Sequence, residues 1–450
     1  MTNSKQHRSS VIVRLVIMAG LFIPLVMAGA AQAQTFQVLH TFTGGADGAY
    51  PVGGLTMDRA GNLYGATSAG GNTGSSCQYG RAANGCGTVF KLAHGGSGWV
   101  LSPIYTFTGY TDGLFPSARV IFGPDGALYG VTFAGGEANC DSGSGIYCGI
   151  VFRVTPPATV CKSFICPWQK STVFSFNITG GAEPMSEVVF DHAGNLYGTT
   201  FGGGGNGGVD CIYESGGCGT VYELTPSNGT WTETVLHAFP APGNSGSDGQ
   251  NPYANLIFDS ASNLYSSTSA GGSSGEGSVF QLSPSGSGWT ENLLYNFEAS
   301  GTGMAPEGGL LLASGNLFGT TTGGGSGNGG TVFELTPGQG NWVFTLMYSF
   351  NISRGYYNGP QASLTMDAAG NLYGTTVEGG AYGYGSAFKL TPSNGGWTYT
   401  SLHDFTGGSD GSYISSNLIM DANGNLYGVA SGGASQSCFD GCGVVFEITP

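Results

Sequence analysis

Charge is scarce in this chain. Of 450 residues only 9% are charged, with 12 lysines and arginines against 27 acidic residues. A surface that neutralises phosphates needs clustered basic side chains, so this shortage argues against a nucleic-acid partner. Histidine is rarer still, at six. There is no Cys-x-x-Cys, and no histidine stands close to a cysteine, so the usual zinc ligand spacings are missing. No Gly-x-Ser-x-Gly stands in a strand-to-helix context, which removes the nucleophile elbow of serine hydrolases. Helical periodicity is not sustained in any window. Beyond residue 33 no stretch is long and apolar enough to span a bilayer as a helix.

Glycine and aromatic residues are abundant. The chain has 84 glycines, and 12% of it is aromatic. Disordered chains lack large apolar side chains, so this combination reads as a folded, turn-rich β protein. The first 33 residues stand apart: Lys5, Arg8 and Arg14 precede an apolar run from Leu15 to Ala28, which ends in Ala31-Gln32-Ala33. This is the pattern of a secretory signal peptide cleaved near Ala33, and it predicts a secreted or periplasmic protein. Without it, nine basic residues face 27 acidic ones, a net charge of −18. The ten cysteines fall into close pairs: Cys77 with Cys86, Cys140 with Cys148, Cys161 with Cys166, Cys211 with Cys218, and Cys438 with Cys442. In an exported chain such pairs read as disulfides, the nearest-neighbour pairing resting on spacing alone.

One phrase recurs seven times, as Asn62-Leu63-Tyr64, Ala127-Leu128-Tyr129, Asn195-Leu196-Tyr197, Asn263-Leu264-Tyr265, Asn316-Leu317-Phe318, Asn371-Leu372-Tyr373 and Asn425-Leu426-Tyr427. Its spacing of 53 to 68 residues suits propeller blades and exceeds that of helical solenoids. Each copy carries four strand-like runs: a short apolar one, the recurring phrase, an alternating run such as Val332-Phe333-Glu334-Leu335-Thr336, and a run from Trp to Phe such as Trp342 to Phe350. Asp-x-x-Gly-Asn, at Asp58, Asp191, Asp367 and Asp421, joins the first two runs and reads as hairpin chemistry. A calcium loop would need more oxygen ligands than the one Asp that recurs.

The two ends of the repeat array decide the architecture. The chain after residue 33 opens on a lone fourth-type run, Phe36 to Phe42, and ends on a third-type run, Val445 to Pro450. A ring uses that offset, since one end supplies what the other lacks. The expectation is therefore an all-β, seven-bladed β-propeller of four-stranded blades over 34–450, closed by pairing the N-terminal strand with the last blade.

The phrases GNLYGTT, GGTVFELTP and NGGWTYTSLHDF together resemble a family of bacterial tandem repeat proteins known as GloVer-type or choice-of-anchor repeats. The resemblance implies an exported protein without an assigned activity, and it carries no catalytic residues. The Asp-x-x-Gly-Asn turn also resembles that of NHL-type propellers.

Residues that recur build the ring, so those that do not are the functional candidates. The six tryptophans and the group His40, His237 and His403, which share a site with Tyr105, Tyr295 and Tyr348, read as packing residues. The loops between second and third strands vary, and those of blades one, two, three and seven carry cysteines, forming one arc. One inner-strand column also varies: Gly54, Arg119, Glu187, Asn255, Gly309, Ser363 and Asn417. Arg119, Glu187, Asn255 and Asn417 are the candidate ligand-binding residues, near the mouth of the central channel, with Arg119 and Glu187 expected to pair. The functional expectation is a monomeric binding module that takes a glycan or an envelope protein through the disulfide-stapled loops on one face, without metal or cofactor. The alternative is a glycoside hydrolase or lyase acting at the channel mouth.

Overall fold

The computed structural model describes residues 1, 34–79, 83–96, 98–136, 148–157, 167–205, 217–240, 248–286, 288–352 and 358–450. Residues 34–450 form a seven-bladed β-propeller of antiparallel sheets, numbered here by chain order. Blade one runs Ala49–Met57, Leu63–Ala69, Thr88–Gly95 and Gly98–Thr106 from the channel outward, and the others repeat this order. Blade seven is assembled from both ends of the array. Ile419–Met420, Leu426–Ala430 and Val444–Thr449 supply three strands, and Thr35–Thr41 supplies the outermost, with Thr35 opposite Thr449 and Thr41 opposite Val444.

The recurring phrase is a hairpin device. Asp58 Oδ1 accepts from the backbone N–H groups of Ala60 and Asn62 at 2.9 Å each, while Oδ2 accepts from Asn62 Nδ2 at 2.7 Å and the Tyr64 hydroxyl at 3.1 Å. Both carboxylate oxygens are thus used inside the turn, and the same set recurs at Asp191, Asp259, Asp367 and Asp421. The glycine that follows the Tyr is a matter of space. A Cβ on Gly374 would lie 2.6 Å from the Phe388 ring, which stands directly opposite on the third strand.

That third-strand ring is half of the contact that joins blades. The closing Phe of each blade packs edge-on against the third-strand ring of the next: Phe107 on Phe152, Phe239 on Phe280 and Phe405 on Phe446, with centroids 5.1, 5.3 and 5.2 Å apart. Phe42 meets Phe90 in the same way at 5.3 Å, closing the circle from blade seven to blade one. These rings are fully buried, and seven hydrophobic clusters fill the seven blade interfaces. The tryptophans pack as expected: Trp99 lies 6.3 Å from Tyr427 and Trp168 lies 6.1 Å from Tyr64, each reaching the preceding blade. His403 stacks on Phe36 at 3.7 Å. Each of the three histidines also meets a carboxylate, His40 with Asp47, His237 with Asp248 and His403 with Asp410, at 3.1 to 3.3 Å.

Phe405→Ala removes one clasp and leaves a cavity, which costs about 3–5 kcal/mol. Gly374→Ala forces Phe388 off its position, at about 1–3 kcal/mol. Chemical denaturation of the two variants measures both losses.

Candidate functional site

Side chains of the inner-strand column meet across the central channel. Arg119 Nε and Nη2 donate to Glu187 Oε2 and Oε1 at 2.6 and 2.8 Å, a two-pronged pair between blades two and three. Burial alone would favour loss of the Arg119 proton, but the Glu187 charge and its hydrogen bonds outweigh it and hold the guanidinium above its ordinary pKa. Across the ring the Ser363 hydroxyl donates to Asn255 Oδ1 at 3.3 Å, and the Ser363 backbone N–H donates to Asn417 Oδ1 at 2.7 Å. Asn255 reaches over blade five because position 309 is glycine: a Cβ there would lie 1.6 Å from Asn255 Oδ1. All four candidate residues therefore sit at a polar waist, and each lines the cavity on both sides of it.

One of these cavities, of about 570 Å³, lies toward the Asp-turn side, where Asp367 and Asp421 line it. The other, of about 120 Å³, lies toward the side from which the chain enters each inner strand. Antiparallel order places the loops between second and third strands on that same face. Its walls come from a second column, two residues before the first. Blades one to three contribute Val52, Ser117 and Met185; blades four to seven contribute Tyr253, Glu307, Gln361 and Ser415. No two neighbouring blades repeat a residue.

The chain is bent into position for this column. The residue two places earlier has positive φ in six blades without being glycine: Tyr50, Phe115, Glu183, Asn251, Ala305 and Tyr413, at 50 to 59°. Such a conformation costs on the order of 1 kcal/mol or more for an L-residue, so something must hold it. Its backbone N–H donates to a carbonyl at the end of the preceding blade's loop. For Tyr50, Phe115, Glu183 and Asn251 that carbonyl belongs to Cys442, Cys86, Cys148 and Cys218, at 2.7 to 3.1 Å. Cys77–Cys86 and Cys438–Cys442 are disulfides, as the spacing suggested. Cys148 and Cys218 are disulfide-bonded too, while Cys140, Cys161, Cys166 and Cys211 lie outside the described residues. The staples thus anchor the residues that aim the cavity wall.

Glu307 is the one wall residue with a displaced carboxyl. Burial pushes its pKa up to about 7, and among the described residues no hydrogen bond or cation offsets that burial. Tyr253, raised to about 12 first by burial, also feels the Glu307 charge. Neither residue was a candidate in the sequence, nor was Gln361. The signal was the proline that recurs at 51, 116, 184, 252, 306 and 360, because the residue after each is a wall residue. The described residues contain no group of three His, Cys, Asp or Glu side chains suited to hold a metal ion.

The fold and this channel define a seven-bladed β-propeller with a polar waist and a small cavity on its loop face. The chain belongs to the Gloeobacter/Verrucomicrobia repeat family, whose pattern matches residues 30–215 and 208–446. No curated protein matches it. Among solved structures it is similar to a 6-phosphogluconolactonase-like protein from Bacteroides uniformis, at 12% identity and a TM-score of 0.47, covering 76% of this chain and 84% of that one. It is also similar to the PQQ-bound aldose sugar dehydrogenase of Streptomyces coelicolor, at 14% identity and a TM-score of 0.42, covering 92% and 98%. A gluconolactonase from Xanthomonas campestris matches at 12% identity and a TM-score of 0.34, covering 58% and 70%.

Arg119→Ala strands Glu187 and costs toward the lower end of ~3–5 kcal/mol, while Arg119→Met combined with Glu187→Leu costs less than the single change. Denaturant titration of the three proteins reads this directly. The raised Glu307 pKa also sets a pH dependence. The native state holds a proton there that the unfolded chain releases above its ordinary value of 4.5, so stability falls as pH rises from 4.5 to about 7. Glu307→Gln lessens that fall in a series of unfolding curves across the window, while the share of Glu233, which burial also raises to about 7, remains.

Proposed function

We propose that this chain is an exported binding module that takes a neutral glycan on its loop face, across blades six, seven and one. The supporting observation is where aromatic side chains are exposed. Among the described residues the exposed aromatics are Tyr110, Tyr382, Tyr384 and Phe439, at 62, 59, 37 and 72%. All four stand on the loop face, in segments that do not recur from blade to blade. Exposed apolar surface concentrated on one face marks an interaction site, and rigid aromatic rings provide contact area at low entropic cost. A cavity of about 460 Å³ lies beside Tyr384, which lines it together with Tyr413 and Cys438.

The Cys438–Cys442 staple underlies this patch. It holds the loop that presents Phe439, and the Tyr50 hydroxyl donates to the Phe439 carbonyl at 2.8 Å. Disulfides suit the oxidising compartment that the leader pattern implies, periplasmic or extracellular. A net charge of −18 after the leader repels anionic polymers, which favours a neutral sugar. One observation favours a carbohydrate-active enzyme instead: the proton-bearing Glu307 in a cavity. A glycosidase also needs a second free carboxylate, and the other one lining this cavity, Glu187, is tied to Arg119.

Glycan-array binding followed by calorimetry tests the proposal. Phe439→Ala and Tyr384→Ala each weaken the bound glycan about tenfold or more, roughly 1.4 kcal/mol, with melting temperature unchanged. Unchanged affinity in both variants contradicts the patch. Release of reducing sugar from a polysaccharide panel, abolished in Glu307→Gln, moves the protein to the enzyme reading.

A further inference from the structure

We propose a second site, independent of the glycan patch: the loop-face cavity of the channel binds the ammonium group of a small amine, with the Glu307 carboxylate as its counter-ion. The geometry supplies the elements of such a site. Glu307 stands in the wall of the cavity, not in a turn or on the rim, and has no hydrogen-bond or ion-pair partner among the described residues. Every other charge that faces the cavity is already paired, since Arg119 and Glu187 at the waist cancel each other. A lone carboxyl in such a place is costly to ionise without a cation. An ammonium ion removes that cost, and the protein itself offers none there.

The remaining wall suits the same guest. Tyr253, close enough to feel the Glu307 charge, is held edge-on by Phe201 with centroids 6.2 Å apart and presents an aromatic ring and a hydroxyl. Aromatic faces attract ammonium groups, and the more so where water is scarce. Ser415 adds a hydroxyl acceptor from blade seven. The volume, about 120 Å³, is close to the ~150 Å³ that holds a benzene ring, so the guest is a few heavy atoms or the end of a larger molecule. A divalent metal ion wants six or more oxygen ligands, and this wall offers a single unpaired carboxylate.

The backbone before Glu307 is held in place. Ala305 holds positive φ two residues before Glu307 and is fixed by the Glu276 carbonyl at 2.9 Å, with Pro306 between. That geometry fixes the backbone from which Glu307 projects at the cavity wall.

Isothermal titration of the whole protein with ethanolamine and with glucosamine tests the site, with N-acetylethanolamine and N-acetylglucosamine as neutral counterparts. Binding of both amines and of neither acetylated form is expected, and glucosamine alone would identify an amino sugar as the source. Affinity for ethanolamine rises about tenfold or more between roughly pH 5.5 and roughly pH 7.5, as the carboxyl ionises. Glu307→Gln, which keeps the shape and the neutral form, loses that binding while its melting temperature stays at or above that of the parent. No amine binding, equal binding of the acetylated forms, or unchanged binding in Glu307→Gln overturns the proposal. Because the aromatic patch is untouched in this variant, its glycan binding persists, and the two sites fail or stand separately.

Discussion

The edge-to-face contact between the closing Phe of one blade and the third-strand ring of the next is what the rest of the molecule depends on. A four-stranded sheet of this length buries little by itself, and its two faces need neighbours. The ring pairs, with Tyr222 in place of the third-strand Phe in blade three, stand 4.9 to 5.3 Å apart around the ring and supply a neighbour on each side. A circle of such contacts holds only if it closes. The outermost strand of blade seven, Thr35–Thr41, closes it twice, once by its ladder with Val444–Thr449 and once by delivering Phe42 to Phe90. The glycine of the recurring phrase follows from the same constraint, because the third-strand ring occupies the space where its Cβ would be.

A scaffold repeated seven times leaves function to whatever is not repeated. On the loop face that means two sets of residues. The inner set, one residue per blade and in six blades directly after a proline, lines the channel cavity and includes Glu307 and Tyr253. The outer set is the exposed aromatics of the long connections, Tyr110, Tyr382, Tyr384 and Phe439. The disulfides connect the two. Cys438–Cys442 braces the loop under Phe439, and the Cys442 carbonyl fixes Tyr50, whose left-handed turn aims Val52 into the cavity. A staple here shapes both surfaces.

Much of the architecture was legible in the residues. The seven phrases, the Trp-to-Phe strands and the offset ends led directly to a closed seven-bladed ring, because each follows from local pairing and packing rules. Arg119 and Glu187 were expected to pair and do. Their column proved to be the waist, while the loop-face wall belongs to the column two residues earlier. That second column was harder to see. Its members share no chemistry, so no pattern in one sequence separates them from loop residues. Only the proline before them and the left-handed residue before that mark the position, and a positive φ at Tyr50 or Ala305 is invisible without coordinates. The Asp partners of His40, His237 and His403 escaped notice for a different reason: they lie seven to eleven residues away, across connections of unequal length.

The central claim is a division of labour, with recurring positions carrying stability and variable ones carrying recognition. The most direct measurement is the unfolding free energy of one variant in which Met185, Glu307 and Ser415 are all alanine. These three wall residues are replaced together, and the account predicts a loss within about 1 kcal/mol, because each faces the cavity and the lone carboxyl opposes folding. A loss as large as the ~3–5 kcal/mol expected for deleting a single clasp phenylalanine would mean that the wall holds the ring together, and would contradict the division.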